Sequence, residues 1–258
     1  MITSTANPKI KNLALLGKNA KERIEQGVFL AEGRKMFKEA PREWIKKVYV
    51  TEAYLEEEGT AEELNGLSFE VVSDHVMKAA ANTQAPQGIL LLLSIPKWEF
   101  GEVMCDPKAF CLFLENIQDP GNLGTMLRTA EAAGATAVIA DKRTVDLYNP
   151  KAIQATMGSV YRLPFFVAED FYEMLESRKK CGMKLYAAHL KGKVLYDEAD
   201  YRGPCGFMIG NEGNGLTEEA ARQADAYIKI PMEGKIESLN AAAAAAVLLY
   251  EVNRQRRR

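Results

Sequence analysis

The spacing of hydrophobic and polar positions changes repeatedly along the chain, and each change marks an element. Asn7-Pro8 opens a helix to about Leu16, with Pro8 suited to its first turn. Lys18–Gln26 reads as a second, highly charged helix, Val28–Ala31 as a short strand and Gly33–Ala40 as helix again. Lys47–Thr51 and Phe69–Val72 read as strands separated by an acidic helical stretch around Glu56–Glu63. Ser73 caps the next helix, and Gly88–Ile95 is an apolar strand buried on both faces. Pro96 to Pro107 holds two prolines, a glycine and no period, which places a linker at 98–107 between a domain of residues 1–97 and one of 108–258.

Beyond the linker the alternation of strand and helix is regular. Strands are predicted at Ala109–Leu114, Thr136–Ala140, Leu163–Val167, Met183–Ala188, Gly206–Ile209 and Ala226–Ile230. Helices are predicted at Asn122–Ala133, Pro150–Met157, Asp170–Lys180, Thr217–Gln223 and Leu239–Val252. This alternation implies an α/β fold with a mostly parallel sheet and helices on both faces.

Composition narrows the class. The 258 residues suffice for two cores. No apolar run approaches the ~20 residues that span a bilayer, and no basic stretch leads into an apolar segment at the N-terminus, so neither a membrane span nor a signal peptide is expected. Cys105, Cys111, Cys181 and Cys205 show no CxxC spacing and have only His75 and His189 as imidazole partners, which argues against a metal site. Cys111 and Cys205 read as small core residues, in keeping with a reducing cytoplasm. A net charge of −2 excludes a general nucleic-acid coat but leaves room for one basic face.

Three loops carry candidate chemistry. In the first, Glu115 to Gly124 follows a strand and opens a helix; Asn122 can cap that helix, and Arg128 lies nearly two turns further on. A guanidinium fork there suits a phosphate or a carboxylate, and a surface arginine on an ordinary helix is the plain alternative. In the second, the strand Phe207–Ile209 runs into Gly210, Gly213 and Gly215. The spacing differs from a dinucleotide-binding turn, and Glu212 inside the loop would repel a pyrophosphate, so a neutral or cationic ligand fits better. In the third, Ile230 to Asn240 leads into six alanines, with Ser238 or Asn240 capping a helix that other backbone can approach closely. No loop has the pattern of a phosphate-cradling lysine, a serine-hydrolase elbow or a zinc-protease helix.

Together the segments NLGTMLRTAEAAGA (Asn122–Ala135), FMIGNEGNGL (Phe207–Leu216) and IPMEGKIESLNAAAAAA (Ile230–Ala246) resemble, in order, the three motifs of the SpoU/TrmH family of SPOUT RNA methyltransferases. The first ~95 residues resemble the family's small substrate-binding domain through NPKIKNLALL, FLAEGRKMFKEA and the helix before QAPQGILLLL. The uniform alanines at 241–246 depart from relatives that show serine or valine there.

The resemblance implies a C-terminal SPOUT domain with a deep trefoil knot, an N-terminal α/β RNA-binding domain and a homodimer through the C-terminal domain. It implies S-adenosylmethionine as methyl donor and a ribose 2′-hydroxyl as acceptor, in ribosomal RNA rather than transfer RNA. Donor binding falls to Ala188, His189, Leu190, Gly210, Asn211, Gly213, Ile230, Met232, Ser238 and Leu239. Arg128 would clamp an RNA phosphate and stabilise the developing alkoxide, because a guanidinium stays protonated and makes a poor base. Asn122 and Asn240 could bond the ribose or order the loops. Glu212 could hold Arg128 or face the sulfonium, and Ser238 could help remove the proton or cap its helix. Lys9, Lys11, Arg34 and Lys35 are the RNA-docking candidates of the first domain; solvated helix faces would look the same. Three alternatives stand beside this reading: a tRNA 2′-O-methyltransferase, a non-catalytic RNA-binding or assembly protein that keeps the fold, and a nucleotide-dependent oxidoreductase.

Overall fold

The computed structural model describes residues 1–57, 59–83, 85–101 and 106–257. Cys105, part of the expected linker, one position of the acidic stretch and the last residue of the basic tail lie outside the described residues. The chain forms two compact units. One comprises 1–97 with 146–161, and the other 98–145 with 162–258.

The first unit contains α1 (Pro8–Lys18), α2 (Ala20–Gln26), β1 (Val28–Glu32), α3 (Arg34–Glu39), β2 (Ile45–Val50), α4 (Glu52–Glu56), α5 (Thr60–Glu63), β3 (Phe69–Val71), α6 (Asp74–Ala80) and β4 (Ile89–Ser94). Its sheet runs β1-β4-β2-β3, with β4 antiparallel to both neighbours and β2 parallel to β3. Two predicted helices differ in detail. Asn19 ends α1 and caps α2 by accepting from the backbone of Lys21 and Glu22, so the charged helix starts later than expected. Ser73 occupies the N-cap position of α6 but makes no cap bond; its hydroxyl meets His75 Nδ1 instead.

The segment 146–161 carries α8 (Pro150–Thr156), which packs on β1. A buried guanidinium fixes it there. Arg23 is 2% exposed and pairs with Asp146 at 2.7 Å, while also donating to the Leu16 carbonyl. A buried charge survives only when paired and hydrogen-bonded, and both conditions hold for Arg23. Tyr148 packs against Phe29 with ring centroids 5.0 Å apart and the rings tilted by 43°. Sequence periodicity finds α8 but not its partner, because the ion pair joins positions more than a hundred residues apart.

The second unit contains β5 (Phe110–Leu114), α7 (Pro120–Ala133), β6 (Ala137–Ala140), β7 (Phe165–Val167), α9 (Phe171–Lys180), β8 (Lys184–Ala188), β9 (Val194–Leu195), β10 (Cys205–Ile209), α10 (Glu218–Arg222), β11 (Ala226–Lys229) and α11 (Ala241–Arg256). Its seven strands follow the order β7-β6-β5-β10-β8-β11-β9, and every pairing is parallel. The central strands β5 and β10 are buried at every position, as expected of a parallel sheet covered on both faces. Cys111 and Cys205 lie in this core, where burial pushes their thiols up to about 12 and about 11. The closing helix continues four residues beyond the predicted Val252, and the two-residue strand β9 is shorter than any period and so leaves no sequence signal.

Candidate active site

The parallel sheet places its C-terminal strand ends, and so the loops that follow them, on one side. The first loop leaves β5 at Glu115. Asn116 takes the left-handed conformation at φ 57°, and its carbonyl accepts from Asn211 Nδ2 at 2.9 Å. Asp119, not Asn122, caps α7: its side chain accepts from the Asn122 backbone at 2.8 Å, with Pro120 in the first turn. The expectation that Asn122 caps the helix is therefore corrected. One turn inside the helix, the Asn122 amide is free for long-range contacts.

Those contacts join the three loops. Asn122 Nδ2 donates to Glu212 Oε1 at 3.1 Å, and Asn122 Oδ1 accepts from Asn240 Nδ2 at 3.1 Å. Glu212 also accepts from the backbone N–H of Gln118 and Asp119, each at 3.1 Å. Partial burial opposes its ionisation. The bonds from Asn122 and from the backbone of Asp119, Glu212 itself and Gln118 outweigh that effect and hold its carboxyl below the ordinary value. Asn240 caps α11 by accepting from Ala242 and Ala243, which settles the choice between Ser238 and Asn240 as the cap. Glu212 thus staples the first loop to the second, and Asn122 links both to the third.

The glycine loop is folded on itself. Asn211 Oδ1 accepts from the backbone of Gly213 and Asn214, and Gly215 N–H returns to the Asn211 carbonyl at 2.8 Å. A Cβ on Gly210 would sit 2.1 Å from backbone atoms of Gly215 and Leu216, so only glycine fits there. The end of the loop is held by Glu115, which is 1% exposed. Its carboxylate accepts from Thr217 N and Thr217 Oγ1, both at 2.8 Å, from Arg143 Nη2 at 3.0 Å and from Tyr172 OH at 3.2 Å. Sequence reasoning does not single out this anchor. The available signal is an acidic residue directly after an apolar strand.

These loops enclose a cavity of about 330 Å³. Ala188, His189, Leu190, Gly210, Asn211, Glu212, Gly213, Ile230, Met232, Ser238 and Leu239, all expected at the site, line it. Lys191, Lys229 and Glu237 line it as well, beyond what the sequence motifs suggest. His189 stacks on Tyr227 at 5.1 Å, and its Nδ1 accepts from the Lys191 backbone at 3.0 Å. Asn122 and Asn240 sit in the network behind the cavity rather than among the lining residues. Arg128 is exposed on α7, makes no ion pair among the described residues and is not part of this chain's own cavity wall.

The RNA-docking candidates of the first unit are largely engaged with carboxylates. Lys9 meets Glu70, Arg34 meets Glu57 and Glu63, and Lys35 meets Glu39 at 3.8 Å. Lys11 is exposed and makes no ion pair among the described residues. No group of three or more His, Cys, Asp or Glu able to hold a metal occurs among the described residues. No described helix is long and apolar enough to cross a membrane.

Comparison with known proteins gives the context of this architecture. The chain is 31% identical over 254 residues to the 23S rRNA (guanosine(2553)-2′-O)-methyltransferase RlmP of Bacillus subtilis, covering 97% of this chain and 98% of the relative. A crystal structure of an RNA 2′-O ribose methyltransferase superposes with a TM-score of 0.86 at 35% identity, covering 100% of this chain and 99% of the other. An AdoMet-bound rRNA methyltransferase from Sinorhizobium meliloti superposes with a TM-score of 0.86 at 31% identity, covering 98% and 97%. Residues 7–91 match the MRM3-like substrate binding domain and residues 109–250 the SpoU rRNA Methylase family. With the family model matching more than half of the chain and a relative aligned over nearly all of it, this chain belongs to the SpoU rRNA methylase family.

Proposed function

We propose that the chain methylates a ribose 2′-hydroxyl of large-subunit ribosomal RNA, with S-adenosylmethionine held in the three-loop cavity. The enzyme class follows from the family: an S-adenosylmethionine-dependent RNA 2′-O-ribose methyltransferase. Ribosomal RNA as substrate draws support from the rRNA-modifying relatives that match over nearly the whole chain, and it implies action in the cytoplasm. The observation that carries the proposal is the hydrogen-bonded closure of three sequence-distant loops through Glu212, Asn122 and Asn240 around one cavity.

The cavity fits the donor chemically. Ile209, Leu216, Ile230, Met232, Leu239 and Leu248 supply apolar walls for a flat base, and bare backbone at Gly210 and Gly213 allows close approach. Glu212 and Glu237 offer negative charge to a cationic ligand. When bound, S-adenosylmethionine supplies an electrophilic methyl group. Ala188, His189, Leu190, Gly210, Asn211, Gly213, Ile230, Met232, Ser238 and Leu239 would hold it. The knot expected of the family would thread the second and third loops past each other.

The acceptor needs a cation beside the ribose and a route for its proton. Arg128 supplies the cation by gripping the adjacent phosphate in two places. Its exposure, outside its own cavity wall, suits a homodimer in which the arginine completes the partner's site. Tyr250 and Ala243, both exposed on α11, give that helix an unpartnered apolar stripe that a second copy would cover. Ser238, in the cavity wall and exposed, would relay the departing proton to solvent. Residues 1–97 of the first unit dock the RNA, and the second unit carries the chemistry. Calorimetry with S-adenosylmethionine tests the donor site. One site per chain, lost in a Gly210→Ala variant, is expected; absence of binding to the wild type would exclude the enzyme in favour of a purely RNA-binding protein.

A further inference from the structure

Among the cations of the second unit, a group of three stands without counterions. Lys191, Lys193 and Lys229 are exposed and make no ion pair among the described residues. Lys191 and Lys229 line the cavity, and Lys193 follows in the same turn.

The backbone that carries them is tightly fixed. His189 N donates to the Ile228 carbonyl at 2.9 Å, Gly192 N returns to the His189 carbonyl at 2.9 Å, and Lys191 N donates to His189 Nδ1 at 3.0 Å. A Cβ on Gly192 would lie 2.7 Å from the Ile228 carbonyl carbon, so the turn rests directly on β11. β9 then pairs with β11, placing Val194 beside Ile228 and Leu195 beside Lys229. Lys193 directly precedes β9, Lys191 lies two residues earlier in the turn, and Lys229 ends β11, the neighbouring strand about 4.8 Å away in the sheet. The nearby carboxylates do not neutralise them: Glu212 is occupied by Gln118, Asp119 and Asn122, Glu198 accepts from the Leu195 backbone, and Glu237 makes no ion pair among the described residues.

Like charges held together on a rigid turn repel one another, and the arrangement is relieved when a polyanion lies across it. A single small-molecule carboxylate would neutralise only one of the three. We propose that Lys191, Lys193 and Lys229 form a phosphate-gripping rim that holds the RNA backbone at the mouth of the cavity. It supplies a share of RNA affinity separate from the largely ion-paired basic residues of the first unit. This rim rests on the RNA-methyltransferase assignment but not on the choice of target nucleotide.

Filter binding of an unmethylated 23S rRNA transcript, measured across a range of KCl concentrations, tests it. Removing one lysine–phosphate interaction lowers the slope of log affinity against log salt by about 0.7–0.9, so K191Q/K193Q/K229Q should be shallower by about 2–3. K191R/K193R/K229R, which keeps the charges, should restore the wild-type slope. K193Q alone, outside the cavity wall, should reduce the slope by about 0.7–0.9 while its S-adenosylmethionine affinity stays within about twofold in calorimetry. An unchanged slope in the triple glutamine variant would overturn the proposal. So would an unchanged slope with weakened donor binding, which would reassign Lys191 or Lys229 to the donor's carboxylate. A slope that changes only on mutating Lys9, Lys11 and Lys35 would place the phosphate-binding residues in the first unit instead.

Discussion

Replacing Glu115 with glutamine probes the anchor that holds the glycine loop in place. The substitution keeps shape and volume but turns one acceptor into a donor. At the Oε1 position the new NH2 would face Thr217 Oγ1, Arg143 Nη2 and Tyr172 OH. At the Oε2 position it would face only the Thr217 backbone N–H, and the amide will settle there. One charge-assisted bond is then replaced by two opposed donors, and the remaining three lose the carboxylate's charge. At this burial the cost is about 1.5–3 kcal/mol. For a chain of this size that corresponds to about 3–12 °C in melting temperature. Thr217 also caps α10 through Ala220 N at 3.1 Å, so the loosened end of the loop borders the cavity wall. Donor affinity should fall as well, because Leu216, next to Thr217, lines the cavity. Thermal melts and calorimetry with S-adenosylmethionine on Glu115→Gln measure both. Glu218→Gln, which removes only an exposed i,i+4 pair with Arg222, serves as control and should shift little. An E115Q protein that melts with the wild type and binds the donor equally well would refute the anchoring role.

Other consequences follow from the same geometry. Gly210→Ala drives a methyl into the backbone of Gly215 and Leu216, so donor binding should weaken at least about tenfold while far-ultraviolet circular dichroism is unchanged. Arg128→Lys keeps the charge but loses the fork, and kcat/KM for RNA should drop by about a hundredfold with donor Kd unaffected. Glu212 has a folded pKa below the 4.5 of a free glutamate, so its contribution to stability is complete above that value and disappears as pH falls through the lowered one. The stability difference between wild type and Glu212→Gln in denaturant titrations should therefore be constant near neutrality and shrink in acid; a pH-independent difference would contradict the staple.

Much of this architecture is legible in the chain. The second unit alternates strand and helix with buried strands bounded by Gly and Pro, and such elements read directly from periodicity. The cavity-lining residues from Gly210 to Leu239 stand out because glycines in close sequence after an apolar strand have few other uses. What escapes depends on pairings between distant positions. Asn122 looks like a cap, but Asp119 three residues earlier has the same chemistry and Pro120 behind it, and only the fold shows which one caps. The ties among Glu212, Asn122 and Asn240 span about ninety to 118 residues and have no local signature. The same holds for Arg23 and Asp146, which assign 146–161 to the first unit. Basic residues of the first unit draw the eye as charges, but the carboxylates that neutralise Lys9 and Arg34 lie on other elements. The lysines beside the cavity escape notice because Lys229 lies far along the sequence from Lys191 and Lys193 and joins them only at the sheet edge.

Placing a methyl group on a ribose 2′-oxygen of ribosomal RNA is the activity on which every role assigned above depends. The decisive experiment incubates purified protein with S-adenosylmethionine carrying a labelled methyl and with unmethylated 23S rRNA transcript, followed by nuclease digestion and chromatography of the nucleosides. Label is expected in one 2′-O-methylnucleoside, recovered as an alkali-resistant dinucleotide, and is expected to be lost in Arg128→Lys. Label on a base, or no transfer to RNA by a protein that binds the donor, would contradict the assignment.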